Sequence, residues 1–266
     1  MANIILTNDI ITITDAKITA QSTASGFAKA NIFNHGTLKR RWRMNSLTKS
    51  AVNPVINLDM ASARTLTAIV LYDVNFDKVN ILGHASDLTT DWTTATFDSG
   101  AISISQDAQT GRYDVYIPLT AFNYRYLAII APVAASAVGS YTTKWEIGNV
   151  VLLDSGSTLS KNMAFGYSRG AEQAFAELKL ASGHIERTTL GDLKWSGTLK
   201  FGARTTTEET DLTTLNNLDI SETLVFYENN GDTSKVYVCL RDDHYDGTMV
   251  TNDIVTSNSF KLIERI

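Results

Sequence analysis

The chain has one cysteine, three prolines and four histidines among 266 residues, and each scarcity removes a class of explanation. A lone Cys239 excludes an intrachain disulfide framework; it lies in the apolar run Lys235 to Leu240, where a free thiol behaves as a small core hydrophobe. His35, His84, His184 and His244 are far apart in sequence and form no constellation that acid-base chemistry requires. No cysteine sits in a matched histidine motif, no H-E-x-x-H pair occurs, and no glycine-rich phosphate loop is present. We expect no catalysis, no cofactor and no bound metal.

Charge of one sign is also lacking. With 23 Lys and Arg against 28 Asp and Glu, the formal net charge is -5, which leaves no broad positive field for sequence-independent grip on nucleic acid. The longest apolar run, Tyr126 to Ala135, is interrupted by Pro132 and falls short of the roughly 18 residues that cross a bilayer. It predicts a strand covered on both faces rather than a membrane span. Met1 leads into Ala2 to Leu6 without a basic region, a long apolar segment or a small-residue cleavage signal, so synthesis in the cytoplasm without a secretory signal is expected.

What is present is the texture of an all-β protein. Short β-branched and aromatic runs, among them Ile10 to Thr14, Pro54 to Leu58, Leu66 to Tyr72, Asn80 to Gly83 and Tyr113 to Ile117, are separated by Gly, Asn, Asp and Ser. Several alternate with period two, which predicts one buried and one wet face. Asp154 to Thr158 combines turn formers with no apolar residue, and a boundary there divides the chain into 1–153 and 154–266. The second part predicts strands over 171–179, 183–190, 192–201, 223–228, 235–240 and 259–266. One helix is expected over Thr207 to Leu218, from an N-terminal threonine, early acids and leucines three apart at 212, 215 and 218. Asn230-Gly231 between two apolar runs predicts a hairpin.

In chain order, the turn Asn31 to Gly36 with Arg41-Trp42-Arg43, then Ile56 to Asp59, Ile69 to Tyr72, Ile81 to Asp87, Tyr124 to Ile130 and Trp145 to Gly148 resemble the discoidin-like, or galactose-binding-like, domain. That resemblance implies a jelly-roll β-sandwich over 1–153, with Trp42 in its core, followed by a smaller β-rich domain. The family often places Asp before the turn glycine and uses that loop, with a late Glu, to enclose a structural Ca²⁺. Here the loop reads Asn34-His35-Gly36, one charge fewer, with Glu146 as the remaining carboxylate.

A sandwich of this kind followed by Tyr167 to Gly170, Ser182 to Arg187 and Leu193 to Phe201 is similar to tail-tip proteins of long-tailed bacteriophages. The likeness implies a virion structural protein, made in the host cytoplasm. Its C-terminal domain would form a homo-oligomeric ring among other tail proteins, while the sandwich packs beside neighbours or touches a host-surface glycan. The alternative is a carbohydrate-binding module or lectin without a virion role.

Sugar recognition needs exposed rings and polar groups that fix hydroxyls. His35, Arg43, Tyr72, Asn75, His84 and Trp92 fall at predicted strand ends and are the candidate contacts. Trp42, Trp145 and Trp195 sit inside apolar strands and read as core, whereas Trp92 lies in the polar loop 89–94 and is the aromatic expected at the surface. The basic cluster at Lys39, Arg40, Arg41 and Arg43 reads as a solvated or subunit-contact strand. Arg241 to Gly247 holds three carboxylates and an imidazole that could ligate a cation; a solvated turn has the same composition and is the reading adopted.

Overall fold

Long strands set the architecture of this computed structural model. It describes residues 5–7, 10–11, 13, 17–34, 40–139, 142–154, 168–172, 175–179, 185–189, 193–200, 204–205, 210, 217–219, 221–228, 231–242, 247–251, 254–257 and 259–265. The predicted runs Pro54 to Leu58 and Leu66 to Tyr72 are parts of one 19-residue strand, β5 (Ile56–Val74), and Tyr113 to Ile117 merges with Tyr124 to Ile130 in the 16-residue β9 (Val115–Ile130). They pair antiparallel from Ile56 opposite Ile129 to Leu71 opposite Val115, with irregularities between Asp59 and Arg64 and between Leu66 and Ala68. Ala61 and Ala121 take positive φ (66° and 61°) at this corner. There the strands bend from one layer into the next, as strands do when they turn a sandwich corner. Arg125 grips Asp59 across it in two hydrogen bonds of 2.7 and 2.8 Å.

Around these strands lie two layers. In the front layer the first half of β5 and second half of β9 pair with β3 (Ile18–Ala20) and β6 (Lys78–His84), and β6 carries the short β7 (Phe97–Asp98) and β8 (Ile102–Ser103). In the back layer the other halves join β10 (Glu146–Leu153), which also holds β2 (Ile10–Ile11) and β4 (Trp42–Arg43). Alternate residues, such as Ile56, Leu58, Ile81 and Ile129 in front and Ile69, Leu71, Ile117 and Val150 behind, fill one core with Trp42 and Trp145. A 3-10 turn, Lys29–Phe33, brings Ile32 and Phe33 into it.

A third layer lies behind. Strands β1 (Ile5–Thr7), β11 (Ser168–Glu172), β14 (Lys194–Lys200), β16 (Leu224–Tyr227), β17 (Val236–Arg241) and β20 (Ser259–Glu264) form an antiparallel sheet in the order β1, β16, β17, β20, β14, β11. One face, with Ile5, Val225, Tyr227, Val236 and Val238, packs on Ala68, Val70, Tyr72, Tyr116, Val151 and Leu153 of the back layer. The back layer is therefore buried on both sides, which is why 68–72 and 150–153 read as unbroken apolar runs rather than alternating ones. Tyr116 stacks on Tyr227 across the boundary at 4.1 Å. On the opposite face Trp195 stacks on Tyr237 at 4.3 Å beside Phe226, Cys239 and Leu262. Arg169 on β11 reaches Glu228 just past β16 at 3.0 Å, so the sheet curls until its two sides meet over that second core.

The expected hairpin after Tyr227 is present, with Tyr227 opposite Val236 and Gly231 at φ 94°; its loop spans eight residues, not two. Two further sheets are small: β12 (Phe175–Lys179) with β13 (Ile185–Thr189), and β15 (Arg204–Thr205), β19 (Ile254–Ser257) and β18 (Gly247–Thr251) in that order. The helix expected over 207–218 lies mostly outside the described residues.

Gly148 shows how tightly β10 meets β5. A Cβ there would stand 2.7 Å from the Tyr72 carbonyl oxygen and 3.0 Å from Asp73 Cβ, so main chain would have to move. Gly148→Ala is expected to destabilise the protein by about 1–3 kcal/mol, the range for overpacking a filled core, read as a lower midpoint of urea unfolding.

Candidate functional site

Asp73 takes φ 49°, a left-handed conformation that aspartate tolerates better than most residues, and this kink ends the regular path of β5. Beside it, Asn75 clamps the entry to β10: its Nδ2 donates to the Lys144 carbonyl at 2.6 Å and its Oδ1 accepts the Glu146 N–H at 2.7 Å. Arg41 and Arg43, two apart on an extended segment, project to the same side and both bind the Glu146 carboxylate. Arg41 also donates to Asp73 at 2.8 Å, and the Arg43 guanidinium lies over the Phe27 ring at 3.9 Å. The result is a polar cleft of about 250 Å³ lined by Arg41, Asp73, Asn75, Gln106, Arg112 and Glu146, among others.

The Ca²⁺ arrangement implied by the family resemblance does not fit these residues. Both Glu146 oxygens are engaged by guanidinium groups and the residue is 2% exposed, so its charge is already neutralised by protein cations. Among the described residues no cluster of three or more acidic, histidine or cysteine side chains could hold a metal. The loop 35–39 and most of the acidic segment 241–247 lie outside the described residues.

Deeper in the cleft, Arg112 joins sandwich to third layer. Its Nη1 donates to the Leu193 carbonyl at 3.0 Å and its Nη2 to the Tyr72 hydroxyl at 2.7 Å, and it bonds Glu264. Its Nε reaches Asp114 at 3.4 Å. Glu264 in turn accepts the Trp195 N–H at 2.6 Å, and Asp114 accepts the Asp73 N–H at 2.7 Å. Asp114 and Glu264 are 0% and 1% exposed. Because the guanidinium lies closer to Glu264, Asp114 is only partly compensated for lost hydration, and burial pushes its pKa up to about 7 against the pull of Arg112. Burial raises Glu264 as well, against the Trp195 N–H. All these charges face one another and so tie the two layers together.

The candidate contacts are scattered. Asn75 lines the cleft and Arg43 adjoins it through Glu146. Tyr72 is fully buried between the layers, under the Arg112 guanidinium. Trp92, expected at the surface, is 1% exposed: its polar loop folds back so that the ring covers Leu82, Ala128 and Ile130 on the outer face of the front layer. Polar neighbours in sequence concealed that, because Thr89 to Thr94 supply the turn while the ring alone faces inward. His84, half-exposed at the end of β6, has its Nδ1 tied to the Ser86 N–H at 3.0 Å. His35 lies outside the described residues. Neither Tyr72 nor Trp92 can offer a ring face to a sugar.

Sequence reasoning missed Arg112, Asp114 and Glu264. Their signal was a charge inside or beside an apolar strand. It also passed over the G-x-S-x-G spelling of Gly166 to Gly170. A nucleophile elbow needs a strand-turn-helix junction, whereas Ser168 lies within β11, paired with Thr198 of β14.

No family model matches the chain, and no curated protein matches it. Two solved structures are similar over about half of it. One is chitosan-binding module 1 derived from a chitosanase/glucanase of Paenibacillus sp. IK-5, 15% identical, covering 51% of this chain and 92% of that one with a TM-score of 0.33. The other is the lectin domain of lectinolysin complexed with Lewis B antigen, 14% identical, covering 52% and 92% with a TM-score of 0.34.

Two outcomes are expected. EDTA leaves the melting midpoint unchanged and added Ca²⁺ does not raise it, because Arg41 and Arg43 occupy the place of a cation; calorimetry with each reads this directly. Stability falls as pH rises between about 4 and about 7. The unfolded Asp114 ionises near its ordinary value while the folded one holds its proton to about 7, so the folded state binds more protons across that window. In Asp114→Asn the slope of midpoint against pH over this window is shallower, because the amide does not ionise.

Proposed function

We propose that this chain is a structural, non-enzymatic component of a long-tailed phage tail tip. It assembles as a ring through residues 154–266 and carries a discoidin-like sandwich within 1–153, although the first strand, β1 (Ile5–Thr7), departs from that division by pairing with β16 of the third layer. The observation that supports this reading is the third layer. It clamps the sandwich by an apolar face and a buried ion-pair network, so the two parts move as one body, while its own strands continue into small sheets whose outer edges lack partners among the described residues. Open strand edges are places where another chain adds, and a repeated heterologous contact that closes on itself makes a ring. The sandwich would sit beside neighbouring tail proteins or touch the host surface.

A second reading, a carbohydrate-binding module without a virion role, is favoured by the polar cleft at Arg41, Asn75 and Glu146. It has hydrogen-bonding groups of the right kind, but the two aromatics expected to stack on sugar are buried.

Light scattering on the purified chain separates the two. The ring reading expects a mass that is a whole multiple of 29.1 kDa, with no glycan-array signal above background required. A particle of one chain that binds a glycan, and loses it in Asn75→Ala, would replace the ring reading with the module.

A further inference from the structure

The third layer carries extensions at both of its ends. In chain order β12 and β13 lie beyond the Lys194 end of β14, and β15 lies beyond its Lys200 end. At the first end, β12 and β13 pair only with each other among the described residues, Phe175 opposite Thr189 through Lys179 opposite Ile185. All five residues of β13 are exposed, and so are Ala176, Glu177 and Lys179 of β12. A strand of a globular protein normally buries one face, and an isolated two-stranded hairpin is marginal in water. Ile185 is one of two large hydrophobics left exposed among the described residues.

We infer that this hairpin is an assembly arm, and that its partner is a second copy of this chain, to which it adds as a strand along the open edge of β18. The inference rests on the ring reading and specifies its contact. Three observations select that partner. The chain leaves for the arm from the Glu172 end of β11, opposite Lys194, and for β18 from the Arg241 end of β17, which runs toward the Lys200 side, so joining the two between copies gives the head-to-tail repeat that a ring needs. Among the described residues β18 is the longer open edge there, five residues against two in β15, and matches the five-residue strands of the arm. The arm carries two acids and two bases, Glu177, Glu186, Lys179 and Arg187, with Glu177 meeting Arg187 at 3.0 Å and Lys179 at 3.5 Å, and so has no net charge. It therefore neither repels a like copy nor calls for a strongly charged partner. Main-chain hydrogen bonds would supply the affinity, as in other cases of strand addition.

The test compares the full chain with a variant in which residues 175–189 are replaced by an Asn-Gly turn. The expected result is a ring mass for the full chain and a single-chain mass for the variant, with melting midpoints alike because all of β13 and Ala176, Glu177 and Lys179 of β12 are exposed. A second variant, Thr188→Cys with Thr248→Cys, is treated with a short bismaleimide. Cys239 is fully buried with its thiol pKa raised by burial, so only the new thiols react, and a ladder of covalent multimers is expected on denaturing gels, absent from either single substitution. A ring that survives loss of the arm, or a double variant without a ladder, overturns the arm and leaves the ring standing. A full chain that stays at single-chain mass at every concentration overturns the ring and the arm with it.

Discussion

The rest of this molecule is arranged around one largely buried guanidinium. Arg112 is 9% exposed and stands where the loop before β9 meets the third layer, with Glu264 on one side, Asp114 on another and the Tyr72 hydroxyl below. Removing one partner from such a buried group leaves an uncompensated charge, at a cost of about 3–5 kcal/mol. Apolar packing between the layers is non-directional and would allow them to slide. The fork geometry of the arginine fixes one register.

That register links the cleft to the far sheet. Asp73 binds Arg41 by its side chain and Asp114 by its N–H, so the polar chain runs from the Glu146 cluster through Asp73 and Asp114 to Arg112, Glu264 and the Trp195 main chain. Each member positions the next. Within this network the charges are spent on one another.

Strand existence was legible in the sequence, and so was the all-β class, because period-two alternation and turn residues follow directly from the pleat. The places of Trp42, Trp145 and Trp195 in cores followed from their apolar flanks. Continuity was not legible: Asp59 to Thr65 reads as a break, yet the chain stays paired through a bent corner held by Asp59 and Arg125. Nor was the fate of Trp92, since loop composition reports on the backbone turn and not on where one large ring lies. The buried charges were hidden for a related reason. A lone Glu in Phe260 to Glu264 has the look of a surface residue until its partner, 152 positions away, is known. Strands β18 and β19 escaped because their runs are short.

The first described strand of the chain has a consequence for how the protein is made. Ile5 to Thr7 pair with Val225 to Tyr227, so the third sheet cannot close at this edge until the chain has been made past Tyr227. Contacts so distant in sequence carry a large loop-closure cost and slow the search for the native state. Until then Leu6, which is fully buried in the finished molecule, has no core to enter. The nascent sandwich must wait with an oily back sheet uncovered, a window in which a chaperone would find its substrate.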